Sequence, residues 1–226
     1  MSSSSKKEQN IPEAIDYAHL FEGIRNFKAN ELIPRQEFFE ALAHQQNPHT
    51  LFIGCSDSRV IPNVVTQTIP GELFVVRNIG NFVPHYLKKS ETFLATSAVI
   101  EYAVLQLNVD NIVVCGHSNC GGCAALYYQE KELKHLPHTK IWLQLAEPVK
   151  KVVEDKIAKK KLTLEERSEY TEKINVVEQL RHLMKYPYIR KRVREGKLNV
   201  MGWYYNIEEG EIYNYDRKKR RFIRVE

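Results

Sequence analysis

The run Thr50-Leu51-Phe52-Ile53-Gly54, followed at once by Cys55-Ser56-Asp57-Ser58-Arg59, decides how the rest of the chain is read. An apolar run this short that ends in glycine reads as a buried strand rather than a helix. The pattern returns at Glu72–Val76 (ELFVV) and at Asn111–Cys115 (NIVVC). The last of these passes directly into Gly116-His117-Ser118-Asn119-Cys120-Gly121-Gly122-Cys123. Between the second and third runs, Leu94, Ala98, Ile100, Ala103, Val104 and Leu107 suit a helix over Thr92–Leu107 that is buried on much of its surface. A strand, helix, strand unit of this kind predicts parallel strand pairing.

Working outward, Ile15, Leu20, Phe21, Ile24 and Phe27 predict a helix from Pro12 to about Asn30, and Gln36–Ala43 repeats the signal. The polar, Ser-rich opening Met1–Asn10 is expected to be disordered. Downstream, Ile141–Lys160 and Leu164–Met184 read as helices, the second with Thr163 as its cap and Pro187 beyond its end. Val200–Tyr205 and Glu211–Tyr215 are β-rich runs on either side of a glycine-containing turn. These elements predict an α/β fold: a mostly parallel central β-sheet flanked by helices, with an N-terminal helical arm and a C-terminal antiparallel edge strand. The expected division is a disordered tail at 1–11, a helical arm at 12–46, an α/β domain carrying the site at 47–206, and a C-terminal β-hairpin with a basic tail at 207–226.

The composition allows this. The chain has 226 residues, 43% hydrophobic and 27% charged, which is enough to bury a sizeable core. No run approaches a membrane span, and the opening residues lack the apolar stretch of a secretory signal, so a cytoplasmic protein is expected. The net charge of +5 lies largely in Arg217–Arg221 and Lys159–Lys161. Those runs lack the interleaved aromatic residues of a nucleic-acid surface and are diluted by Glu165, Glu166, Glu208 and Glu209. In a reducing compartment four cysteines point to metal binding or catalysis rather than to a disulfide framework.

Binding sites in an open parallel sheet form beyond the carboxyl ends of the strands. Parallel pairing of the first and third runs therefore brings Cys55, His117 and Cys120 to one edge. Two thiolates and an imidazole suit Zn2+, and three ligands leave a fourth position for a water that the metal acidifies. Cys123 could instead close the site as a fourth ligand and make it structural, although two glycines place it where a helix should be turning inward. Cys115, inside an apolar strand, reads as an inert buried thiol. Asp57 and Arg59 could form an ordinary loop salt bridge. Beside a ligand they could equally give an ionised carboxylate, held by a guanidinium, that orients the water.

The segments CSDSR, PGELFVVRNIGN and GHSNCGG resemble the β-class carbonic anhydrases, near-continuously from Gln46 to Cys123 and more loosely through Glu178, Gln179 and Gly202–Tyr205. The resemblance implies reversible hydration of carbon dioxide to bicarbonate and a proton. It implies one zinc ion per subunit on Cys55, His117 and Cys120, with Asp57 and Arg59 as the orienting pair. It also implies substrate contacts from Gln46, Phe74 and Tyr102, residues that such enzymes supply from a neighbouring subunit, so a homodimer or a higher even-numbered oligomer is expected. Gly121 and Gly122 would let backbone amides approach the substrate anion. Phe52 and Arg181 stand where a bicarbonate-inhibited subtype has tryptophan and tyrosine, while Arg77 occurs in both subtypes. The expected type is therefore the plant-like one, without that second bicarbonate pocket. His85, His135 and His138 are the histidines considered for the proton's exit. Two other readings remain: hydrolysis of carbon disulfide or carbonyl sulfide on the same scaffold, and a non-enzymatic zinc-stabilised module that binds an acidic partner through the basic tail.

Overall fold

A computed structural model of the chain describes residues 17–87, 92–159 and 162–226. The Ser-rich opening and the first residues of the helix expected from Pro12 lie outside the described residues. The described residues divide after Gln46 into two compact units. In the first, α1 (Ala18–Phe27) continues through a widened turn and a tight turn holding Pro34 into α2 (Gln36–Leu42). Phe27 meets Phe39 edge to face at 5.7 Å, and Arg35 lies over Phe38 and Phe39. Leu20, Phe21, Ile24 and Ile33 remain exposed in the single chain.

The second unit is built on six strands: β1 (Thr50–Cys55), β2 (Leu73–Asn78), β3 (Asn111–His117), β4 (Asn199–Asn206), β5 (Glu211–Asp216) and β6 (Arg221–Arg224). Their order is β2-β1-β3-β4-β5-β6, parallel from β2 to β4 and antiparallel from there to β6. The helices are α3 (Pro62–Thr66), α4 (Leu94–Glu101), α5 (Gly121–Ala124), α6 (Glu130–Leu133), α7 (Pro137–Leu143), α8 (Glu147–Lys159), α9 (Leu164–Leu183) and α10 (Pro187–Arg194). No helix among the described residues is long and apolar enough to cross a membrane.

The side-chain period of two divides the strands between two cores. Leu51, Ile53, Ile112 and Val114 join Ile100, Val104, Val176, Leu180 and Leu183 in one cluster, while Phe52, Val113 and Cys115 meet Met201 and Trp203 in another. Each fully buried Leu or Ile contributes about 1.5–3 kcal/mol against staying in water. Helix α9 approaches β3 and β4 closely because both strands carry glycine there. A methyl group on Gly116 would sit 2.6 Å from Val176, and one on Gly202 would sit 2.8 Å from Leu180.

Thr163 caps α9 as expected, accepting from the Glu166 amide at 3.1 Å while the Glu166 carboxylate accepts from the Thr163 amide at 2.8 Å. The single helix expected over Ile141–Lys160 is instead broken at a tight turn, Gln144–Ala146, with α8 restarting at Glu147. Pro148 explains the restart, because a proline fits the first turn of a helix but not its interior. The basic run is not a tail: residues 217–220 form a turn, and Arg221–Arg224 is the outermost strand. Charged residues around Phe222 and Ile223 hide that strand from pattern reading.

Candidate metal centre

Strands β1 and β3 run in register with Gly54 opposite Cys115, so both release their chains at one edge of the sheet. The ligand atoms of Cys55, His117 and Cys120 lie within 4.8 Å of one another, and all three residues are buried. Cys120 reaches the group because Asn119 before it takes a left-handed φ of +55°, a conformation asparagine tolerates better than most residues. Cys123 is buried beside Cys120 but stands outside this trio. Cys115 lies in the Phe52 and Trp203 cluster, and burial pushes its thiol up to about 12.

The donor set fits a zinc ion. His117 Nδ1 donates to the Ser118 carbonyl at 2.9 Å, which leaves the lone pair on Nε2. That Nε2 is buried without a hydrogen-bond partner, a cost that a metal would remove. The two sulfurs are 3.9 Å apart. Tetrahedral zinc with bonds of about 2.3 Å would hold them about 3.8 Å apart. Without metal, the neighbouring Cys120 thiol and then burial push Cys55 up to about 12. Cys120 is raised as well, first by Cys123. Metal binding must therefore displace protons.

The loop after β1 is held by charge. Arg59 Nε and Nη2 donate to the two oxygens of Asp57 at 2.9 and 2.7 Å, and the Arg59 amide adds a third bond at 3.0 Å. Chiefly through Arg59, the Asp57 carboxyl is held well below the usual carboxylate range. Its Oδ2 lies 3.8 Å from His117 Nε2, at the rim of the ligand group. Arg59 also donates to the Asn119 carbonyl at 3.1 Å, tying the two ligand loops together. Arg77 donates to the carbonyls of Cys55 at 2.8 Å and Asp57 at 2.5 Å, a bracing contact that the sequence reading did not include.

Helix α9 and the turn after it shape the other loop through the segment Gly80–Pro84. Asn175 donates to the Gly80 carbonyl, Gln179 accepts from the Val83 amide, His182 bonds the Val83 carbonyl and Tyr186 donates to that of Pro84, all at 2.7–2.9 Å. The strapped segment in turn fits against α5: a methyl group on Gly122 would stand 2.7 Å from the Gly80 nitrogen. Gly122 therefore serves close packing, while Gly121 faces open space. Glu172, also missed from sequence, is buried and accepts from the Cys120 amide at 3.0 Å. Burial raises its pKa, and hydrogen bonds oppose the rise. One sign was available: Glu172, Asn175, Gln179 and His182 form a polar stripe at helical spacing, running among Val176, Leu180 and Leu183.

Of the expected substrate residues, Gly121 and Gly122 follow Cys120 directly, whereas Phe74 and Tyr102 lie away from this centre within one chain. Phe74 and Tyr102 stack on each other at 5.9 Å, but Phe74 pairs with Leu51, four register positions before Cys55. That is about 13 Å along the strand. Gln46 ends the N-terminal unit. Phe52 packs against Trp203, and Arg181 is exposed and paired with Glu178 at 2.8 Å. His85 is exposed beside His182, whereas His138 lines a groove of about 630 Å³ that also contains Ser56 and Arg77.

Comparison with known proteins agrees with this geometry. The family model described as carbonic anhydrase matches residues 50–212. A carbonic anhydrase of Helicobacter pylori (strain J99) is 39% identical over 208 residues, covering 91% of this chain and 93% of that one. The solved β-carbonic anhydrase CcaA is similar at a TM-score of 0.86 and 38% identity, over 92% of this chain and 98% of that one. One of two tetrameric β-carbonic anhydrases from Sordaria macrospora is similar at a TM-score of 0.76 and 32% identity, over 88% and 95% of the two chains.

Proposed function

From the premise that the chain belongs to the β-class of the carbonic anhydrases and so catalyses the reversible hydration of carbon dioxide, we propose how its residues divide that work. Cys55, His117 and Cys120 hold Zn2+, one ion per subunit. The observation that carries this reading is the buried, unpartnered His117 Nε2 facing two thiols within 4.8 Å. Zinc, when bound, supplies the Lewis acidity that brings water close to ionisation near neutral pH.

The remaining roles belong to the chain. Asp57 accepts a hydrogen bond from the attacking water and fixes which lone pair faces carbon dioxide. It can only accept, because Arg59 keeps it ionised. Arg59 holds the carboxylate through a fork of two bonds, so it cannot rotate away without losing both. Burial of all three ligand side chains excludes bulk water from the cluster and strengthens these electrostatic contacts.

Gln46, Phe74 and Tyr102 contribute to the substrate pocket of a neighbouring copy in a homodimer or a higher even-numbered oligomer. Two observations support this: the Phe74–Tyr102 pair lies far along the strand from its own chain's cluster, and the helical arm leaves Leu20, Phe21 and Ile24 exposed. Gly121 lets its backbone amide approach the bicarbonate product, a role supported by the open space beside it. The plant-like subtype without a second bicarbonate pocket is supported by Phe52, packed against Trp203, and by the exposed Arg181. A cytoplasmic location accompanies the reading. Cys123, outside the ligand trio, argues against a closed structural centre.

The test is metal analysis with stopped-flow hydration of the wild type and Asp57→Asn. One zinc per chain is expected in both, with the variant's kcat about 10²-fold lower because the water is no longer oriented. A variant that keeps full kcat would remove Asp57 from the mechanism.

A further inference from the structure

Among the described residues, Glu172 is the acidic side chain taken fully out of water, at 1% exposure. Burying a carboxylate is costly unless its oxygens are satisfied. Both are. Oε1 accepts from the Cys120 amide and from Ser168 Oγ, each at 3.0 Å, and Oε2 accepts from the Tyr204 hydroxyl at 3.1 Å. The carboxylate thus joins three elements: its own helix α9, strand β4 and the loop that carries Cys120. A residue needed only to fill space would not call for a charge here, since an apolar side chain would pack more cheaply.

We propose that Glu172 is a positioning residue that sets the protein's affinity for zinc by holding the Cys120 backbone amide. The inference rests on the zinc reading above. Asn119 stands in a left-handed conformation, and Cys120 follows with an extended backbone at φ −73° and ψ 115°. The peptide between them has to be held in one plane for Cys120 Sγ to face Cys55 and His117. Its N–H is the handle, and Glu172 Oε1 is the acceptor that grips it. Opposite it, Arg59 Nη2 takes the carbonyl of Asn119, so both polar atoms of the Asn119–Cys120 peptide unit have side-chain partners. The ligand is then aimed before metal arrives, and binding spends no free energy on arranging it. Outer partners of this kind alter metal affinity by about 10–100-fold when removed.

Two conservative variants separate reach from charge. Glu172→Asp keeps the charge but withdraws the oxygens by one methylene, whereas Glu172→Gln keeps an oxygen within reach and drops the charge. Zinc affinity is measured on metal-free protein by competition with a chelator of known affinity, alongside the thermal midpoint of each metal-free variant. Glu172→Asp should bind zinc about 10–100-fold more weakly, while Glu172→Gln stays within about threefold of wild type. Tyr204→Phe removes a bond to the carboxylate without touching Cys120. It should lower the midpoint and leave zinc affinity within about threefold of wild type. Wild-type affinity in Glu172→Asp, or equal losses in all three variants, would overturn the proposal and leave Glu172 a packing residue. A wild-type protein that takes up no zinc would overturn the metal reading itself, and this inference with it.

Discussion

The two loops that bring ligands together are held in opposite ways. The loop after β1 is a short-range device: Asp57 and Arg59 are two residues apart, and their forked bond lies near the surface. The loop after β3 is a long-range device: its shape depends on Glu172, 52 residues away, and on the segment that Asn175 secures at Gly80 across 95 residues. The first is closed by charge between near neighbours in sequence and braced from β2 by Arg77. The second is bound by burial and fit, and exists only when distant chain has packed around it.

The contrast can be broken by experiment. The largest expected effect on the packed loop is Gly122→Ala, whose methyl group would meet backbone at 2.7 Å. A loss of about 1–3 kcal/mol is expected. This should be nearly independent of salt in thermal melts. Arg77→Ala, on β2 beside the charged loop, removes two bonds to that loop's carbonyls but from an exposed side chain. Discounted for solvent screening, about 1 kcal/mol is expected, shrinking as salt is added. A larger loss for Arg77→Ala than for Gly122→Ala would reverse the comparison.

The smallest effect sharpens it by acid titration of α9. The Glu178 carboxyl is held at about 2, chiefly by His182 and then by Arg181, against an ordinary value of 4.5. A lowered carboxyl contributes stability that is fully present above the ordinary value and disappears as pH falls through the lowered one. Melting temperature should therefore decline between pH 4.5 and about 2, and Glu178→Gln should flatten that part of the curve. An unchanged slope in the variant would assign the acid sensitivity elsewhere.

The same contrast explains what was legible in the sequence. Cys55, Asp57 and Arg59 share five residues, and His117 and Cys120 share four, so both ligand segments could be read as words. The parallel strands that carry them are continuous apolar runs. What Glu172 and Arg77 hold could not be read, because each has a partner that only the folded chain brings near. The break before α8 turned on Pro148, whose meaning depends on whether it falls at the start or in the middle of a helix. Strand β6 was hidden because its two apolar residues, Phe222 and Ile223, are adjacent and flanked by Arg221 and Arg224, so the strand shows no alternation of apolar and polar positions.

The bond between Cys120 and Glu172 also has a place in time. A growing chain presents Cys55, His117 and Cys120 first and adds Glu172 52 residues later. At about 5–20 residues per second, that interval lasts roughly 3–10 s. During it, the nascent protein carries its thiols on a loop not yet locked into shape, open to any metal or oxidant around the ribosome. The exchange of a loose, accessible cluster for a shielded one is completed only when α9 docks, which makes the last third of the molecule the guardian of chemistry carried by residues that precede it.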